Sequence, residues 1–167
     1  MVVRCTRKAL DFLGAVAPTD MAASEEDWYL GLLWVDGRRC LLLVHAGTLF
    51  SVFIGGVRKA EVRPIAPYLV GAIEQGLRAE ALAAGTFGRL DPDAVELGRT
   101  ASRGVLGFMN EIAAYCRHDI AAAGGLGACD PAALNRRLQR RLHNQGGYFS
   151  PIERVRGWSK HGRGSWG

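Results

Sequence analysis

The chain has no apolar run approaching the ~20 residues that cross a bilayer as a helix, and its longest candidates are broken early by glycine or charge. It has no C-x-x-C pair, no G-x-S-x-G, no H-E-x-x-H and no P-loop. A spanning helix, a thioredoxin-like redox pair, a nucleophile elbow, a zincin site and a Walker-type phosphate loop are thereby excluded as readings. The four cysteines, Cys5, Cys40, Cys116 and Cys129, are scattered. His45, His118, His143 and His161 do not cluster with them, so nothing has the spacing of a zinc site. No cofactor and no metal are expected. Cys5, Cys40 and Cys116 sit in apolar patterns and are expected as buried thiols, Cys129 as an exposed one. Arg4, Arg7 and Lys8 precede only a short apolar stretch that Asp11 interrupts, which fits a capped helix better than a leader. A cytoplasmic location is the expectation, without membrane association.

The chain has 167 residues, 49% hydrophobic and 22% charged, the size and composition of one globular domain. The formal net charge of +5 is unevenly placed. From Leu134 onward Arg136, Arg137, Arg140, Arg141, Arg154, Arg156, Lys160 and Arg163 face Glu153 alone, whereas the first 133 residues are slightly acidic. Such asymmetry points to an anionic partner at the C-terminal end.

The fold class expected is α+β, an antiparallel β-meander sheet packed against several helices, with a basic C-terminal helix and tail. Val2–Cys5 reads as a strand, and Thr6 caps a helix that Gly14 stops. Trp28–Val35, Arg39–Val44 and Thr48–Ile54 read as three strands, the first two joined by the Asp36-Gly37 signal of a type I′ hairpin. Cys40–Val44 is continuously apolar, which predicts cover on both faces. Pro67 opens a helix to about Ala84, residues 85–99 give no clear pattern, and Ser102–Ala123 is the strongest helix, with Val105, Met109, Ile112, Cys116 and Ile120 on its core face. Asp130-Pro131 opens a helix to about His143 with Leu134, Leu138 and Leu142 as its apolar stripe. The expected division is a single domain over residues 1–143 and a basic tail over 144–167.

Val3-Arg4-Cys5-Thr6-Arg7-Lys8, the hairpins around Trp28-Tyr29, Cys40–Val44 and Thr48–Val52, and Arg103-Gly104-Val105-Leu106-Gly107-Phe108-Met109-Asn110-Glu111 occur in an order and spacing that resembles an uncharacterised family of small bacterial proteins, a domain of unknown function. Members usually carry Ser at the Gly104 position and a small residue at that of Phe108. The resemblance spans roughly residues 2–143. It implies an α+β fold and carries across no catalytic residue.

Two constellations stand out. Arg136, Arg137, Arg140 and Arg141 fall opposite or beside the leucine stripe, and arginine forks suit bidentate phosphate contacts. Arg154, Arg156, Lys160 and Arg163 extend the charge, with Trp158 and Trp166 interleaved, a pattern that can follow a nucleic-acid backbone and stack bases. The bland alternative is a solvated helix face and a loose tail. Arg103, Asn110 and Glu111 are the other set: a fork, an amide and a carboxylate on one helix that could bind a polar ligand or place a base beside an anion clamp. Their bland reading is a helix start with ordinary pairing. Arg4, Thr6, Arg7 and Lys8 are a weaker anion candidate, better read as an N-cap with neighbours, and Trp28-Tyr29 read as core. Three functions follow: a non-enzymatic accessory or regulatory module whose basic end contacts nucleic acid or an acidic protein; a small enzyme acting on a phosphodiester or other anionic substrate through Arg103, Asn110 and Glu111; and a protein-binding subunit of a toxin–antitoxin-like pair. Homo-oligomerisation is compatible with all three.

Overall fold

A computed structural model describes residues 1–17 and 21–158 of the chain. Its centre is a five-stranded mixed sheet of β1 (Val2–Cys5), β2 (Trp28–Val35), β3 (Arg38–His45), β4 (Ser51–Ile54) and β5 (Glu96–Arg99), in the order β4-β3-β2-β1-β5. The helices are α1 (Arg7–Leu13), α2 (Ile65–Ala79), α3 (Arg103–Ala122), α4 (Pro131–Arg140) and α5 (Pro151–Trp158), and a two-stranded ribbon is formed by β6 (His143–Asn144) and β7 (Tyr148–Phe149). The fold is α+β. β2, β3 and β4 form the expected antiparallel meander, while β1 lies parallel to both β2 and β5.

The meander forms where the sequence demands it. Asp36 and Gly37 both adopt positive φ, 50° and 70°, as a type I′ turn requires. Successive residues of the inner strands then feed opposite faces. Trp28, Leu30, Leu41 and Leu43 join Val3, Cys5 and Phe50 on one face, beneath Leu69, Ile73 and Leu77 of α2 and Val155 of α5. Tyr29, Cys40, Leu42, Val44 and Phe53 meet Met109, Ile112, Cys116 and Ile120 of α3 and Leu134 and Leu138 of α4 on the other. The middle strand is therefore covered on both sides, which its unbroken apolar run predicts. Trp28 and Tyr29 are core residues, each 1% exposed. Thr6 is the N-cap of α1 and Gly14 its left-handed stop.

Several boundaries differ from the sequence reading. β4 starts at Ser51, because Leu49 turns the chain at φ 59° and Thr48 Oγ1 accepts from the Phe50 N–H. α2 ends at Ala79, where Ala81 turns left-handed at φ 54° and the Leu82 N–H returns to the Leu77 carbonyl. Within the unclear 85–99 stretch, β5 pairs with β1. α4 stops at Arg140 and Arg141 is extended, so Leu142 leaves the leucine stripe and is 61% exposed.

The largest difference is at the C-terminal end. The expected boundary after residue 143 falls inside packed structure. His143 is buried, β6 pairs with β7, and α5 buries Ile152 and Val155. Ser150 starts α5: its N–H and its Oγ both donate to the Glu153 carboxylate, the N–H bond being the glutamate's half of a capping box. Trp158 is half-buried, with its ring 5.2 Å from that of His45 and against Gly47, where a Cβ would run into it. Lys160, Arg163 and Trp166 lie outside the described residues.

Candidate functional site: the arginine face of α4

α4 is placed by two carboxamides. Ser51 and Phe53 of β4 turn their backbone groups away from β3, toward the sheet edge. The Asn135 side chain accepts from the Phe53 N–H at 2.8 Å and donates to its carbonyl at 3.1 Å. One turn on, Gln139 accepts from the Ser51 N–H at 3.1 Å and donates to the Ser51 carbonyl. Side chains at i and i+4 on a helix are spaced like strand residues i and i+2, so the amides act as one more strand and close an edge that would otherwise invite foreign pairing. Gln139 is 2% exposed and Ser51 1%. Gln139→Ala is expected to cost about 2 kcal/mol in urea unfolding, since it leaves a buried N–H and C=O without partners. A cost within about 0.5 kcal/mol, the ordinary range for a surface change, would contradict this docking.

With Leu134, Leu138, Asn135 and Gln139 committed to the sheet, the remaining helix face is basic. Arg136, Arg137, Arg140 and Arg141, with Ala133, line an open groove of about 550 Å³. Three of the four guanidiniums are anchored by acids on other elements. Arg140 makes a two-pronged contact with Glu80 just beyond α2, at 3.0 and 2.9 Å. Arg137 Nε and an Arg141 terminal nitrogen share Asp119 of α3, at 3.3 and 2.6 Å. The anchoring carboxylates lie beneath the arginines: the Glu80 and Asp119 side chains are 4% and 10% exposed, while Arg137 and Arg140 are 48% and 50% exposed. Burial alone would raise the Asp119 carboxyl, but its contacts with Arg141 and Arg137 outweigh it and hold the group below the usual range. Glu80 correspondingly raises Arg140. The Arg141 guanidinium also lies over the Tyr115 ring, 4.5 Å from its centroid. Arg136 is exposed, and its side chain makes no hydrogen bond among the described residues.

Four guanidiniums against two carboxylates leave two net positive charges. A guanidinium carries five N–H donors, and only one is spent by Arg137 and one by Arg141 in these contacts. The groove is thus a set of prepositioned forks with donors to spare, an arrangement chemically suited to phosphate oxygens.

Of the other basic residues proposed from sequence, Arg154 lies elsewhere, over the Phe149 ring and bonded to Gln145. Arg156 is exposed on α5. Trp158 packs on His45 and is not a free stacking surface. The second constellation does not converge. Arg103 and Asn110 are exposed, and neither side chain is hydrogen-bonded among the described residues. Glu111 turns instead to the Tyr115 hydroxyl at 2.8 Å and to His143 Nδ1 at 3.5 Å. Burial lowers the His143 pKa, against the opposing pull of Glu111. Arg4 is not an anion site at all: it is 2% exposed and paired with Asp27. Cys5, Cys40 and Cys116 are buried and free, and burial pushes the thiols of Cys5 and Cys116 up to about 12. Among the described residues no helix is long and apolar enough to cross a membrane.

Fold and groove together define a small α+β domain, its sheet sandwiched between helices, that displays an arginine-lined helix face. Residues 2–154 match the model of a domain of unknown function, DUF6933, and the chain belongs to that family. The matched region takes in the β6–β7 ribbon and the start of α5, further than the resemblance read from sequence. No curated protein matches the chain.

Proposed function

We propose that this domain is a non-enzymatic accessory or regulatory module that receives the phosphate backbone of a nucleic acid on the arginine face of α4. The observation that carries the reading is the groove itself: Arg136, Arg137, Arg140 and Arg141 in one stripe, three of them held by acids beneath with outward donors unspent. Surface arginines that merely solubilise a protein have no need of such anchoring, which holds long side chains in one geometry against their rotamer entropy. An anionic polymer gains from it, because prepositioned forks lose little freedom on binding and each neutralised phosphate releases counterions. Free buried cysteines fit a reducing compartment, and we place the module in the cytoplasm.

Arg136→Glu tests the reading with little risk to folding, since Arg136 is exposed and unpaired among the described residues. In anisotropy measurements with labelled mixed-sequence DNA and RNA at about 50 mM salt, the wild type is expected to bind with a steep salt dependence and Arg136→Glu about tenfold more weakly. Equal affinity of the two proteins, or no binding by the wild type at low salt, would contradict it.

A further inference from the structure

We propose that the nucleic acid received by this face is single-stranded, with Tyr148 stacking on an unpaired base; the inference rests on the reading of the α4 groove given above. Only four large hydrophobic side chains are exposed among the described residues: Val16, Trp34, Leu142 and Tyr148. Two of these, Leu142 at 61% and Tyr148 at 77%, lie in the stretch that follows α4, two and eight residues past Arg140. The β6–β7 register pairs His143 with Phe149 and Asn144 with Tyr148. Alternation along a strand sends these two pairs to opposite faces. His143 is buried, with its ring 5.8 Å from that of Phe149, 5.7 Å from Phe108 and 6.3 Å from Tyr115. Tyr148 is therefore on the outer face.

The ribbon that holds it is fixed. The Gly147 N–H donates to Asn144 Oδ1, the Gln145 N–H to the Gly147 carbonyl, and Arg154 covers Phe149 while donating to Gln145. Several contacts thus steady a strand pair whose outer aromatic is 77% exposed among the described residues. The other aromatics at this end are engaged, Phe149 by Arg154 and Trp158 by His45. Tyr148 is also close to the groove. Three residue steps from Arg141 to Asn144 plus one cross-strand step keep the Tyr148 backbone within about 16 Å of the Arg141 backbone, at the end of the arginine stripe.

Phosphates on the arginines and a base on a tyrosine within that reach are what a flexible single strand can offer together, stacking being tolerant of base identity. A duplex keeps its bases stacked on each other and could use only the arginines.

The test uses the full chain and four proteins: wild type, Tyr148→Ala, Tyr148→Phe and Arg136→Glu, with fluorescent oligo-dT, oligo-U and a mixed-sequence duplex as probes. Tyr148→Ala is expected to weaken single-strand binding about tenfold and duplex binding less than about twofold, and Tyr148→Phe to keep both within about twofold of wild type. If Tyr148→Ala leaves single-strand binding unchanged, or weakens single strand and duplex equally, while Arg136→Glu weakens both, the single-strand inference is overturned and the basic-face reading stands. If Arg136→Glu weakens neither, both are overturned.

Discussion

Asp27→Ala is expected to lower the stability of the domain by about 3–5 kcal/mol in equilibrium urea unfolding, the range for stripping one partner from a buried ion pair. Arg4 and Asp27 are 2% and 4% exposed and meet at 2.6 Å. The guanidinium also donates to the carbonyls of Met21, Ala22 and Arg99, and Asp27 accepts from the Ser24 N–H. One side chain thus ties β1 to its neighbour β5 and to the segment leading into β2. Gly98 is paired with Arg4 across the strands, and a Cβ there would meet the arginine stem only in ordinary contact at 3.7 Å. Removing the carboxylate strands a positive charge where water cannot reach it. Asp27→Asn keeps the acceptor and loses only the charge, so it should cost less than Asp27→Ala. A loss under about 1 kcal/mol for Asp27→Ala, the scale of an exposed pair, would mean that the pair does not organise the sheet.

Acid should unfold the domain through His45. The ring is fully buried, with Nδ1 3.0 Å from Thr48 Oγ1, and is surrounded by Trp28, Phe87 and Trp158 with centroids 5.1, 4.4 and 5.2 Å away. Nε2 has no hydrogen-bond partner among the described residues. Burial pulls the pKa from 6.5 down to about 3. Between these values the unfolded chain binds a proton that native His45 refuses. Stability is therefore full above pH 6.5 and falls as the pH drops, by about 1.4 kcal/mol per unit and about 4–5 kcal/mol by pH 3. Asp119 and Glu153, whose carboxyls are held low in the fold, lose their contributions only below their ordinary values of 3.8 and 4.5. The window from about pH 6.5 to pH 4.5 thus isolates the histidines, and about 2–3 kcal/mol of the His45 loss should appear there. His143, also lowered by burial, acts in the same direction. His45→Phe keeps an aromatic ring in place and cannot titrate, so it should flatten the pH dependence in that window whatever it does at pH 8. An unchanged slope in His45→Phe would place the acid sensitivity elsewhere.

How far the sequence foretold this molecule differs by element. Patterns that are local and redundant were readable: the Asp36-Gly37 turn, the Thr6 cap, the Gly14 stop, the period of α3, and the two-sided burial of β3. β5 was not, because Glu-Leu-Gly-Arg is short and becomes a strand only by pairing with β1, more than ninety residues earlier in the chain. α5 was readable in principle: Ser150-Pro151-Ile152-Glu153 is a capping box with proline at the first helical position, masked by the glycines and basic residues on either side. At the site, the arginine face was legible from helical spacing alone. What anchors it was not, since Glu80 and Asp119 come from distant segments, and neither was the docking of Asn135 and Gln139 against β4. Polar residues flanking a leucine stripe look like solvated surface until the partner strand is known. The Arg103, Asn110 and Glu111 set looked like a site because helical spacing reports which face a side chain leaves from, and not that Glu111 would find Tyr115 and His143.

Nucleic-acid binding by the α4 face is tested by an NMR titration of the full chain with an unlabelled single-stranded oligonucleotide, following backbone amides and arginine Nε–Hε signals. The largest shifts are expected to cluster on residues 133–141 and on Tyr148, and to collapse as salt is raised. Shifts centred instead on the Arg103 and Asn110 face of α3, or no shifts at low salt, would contradict it.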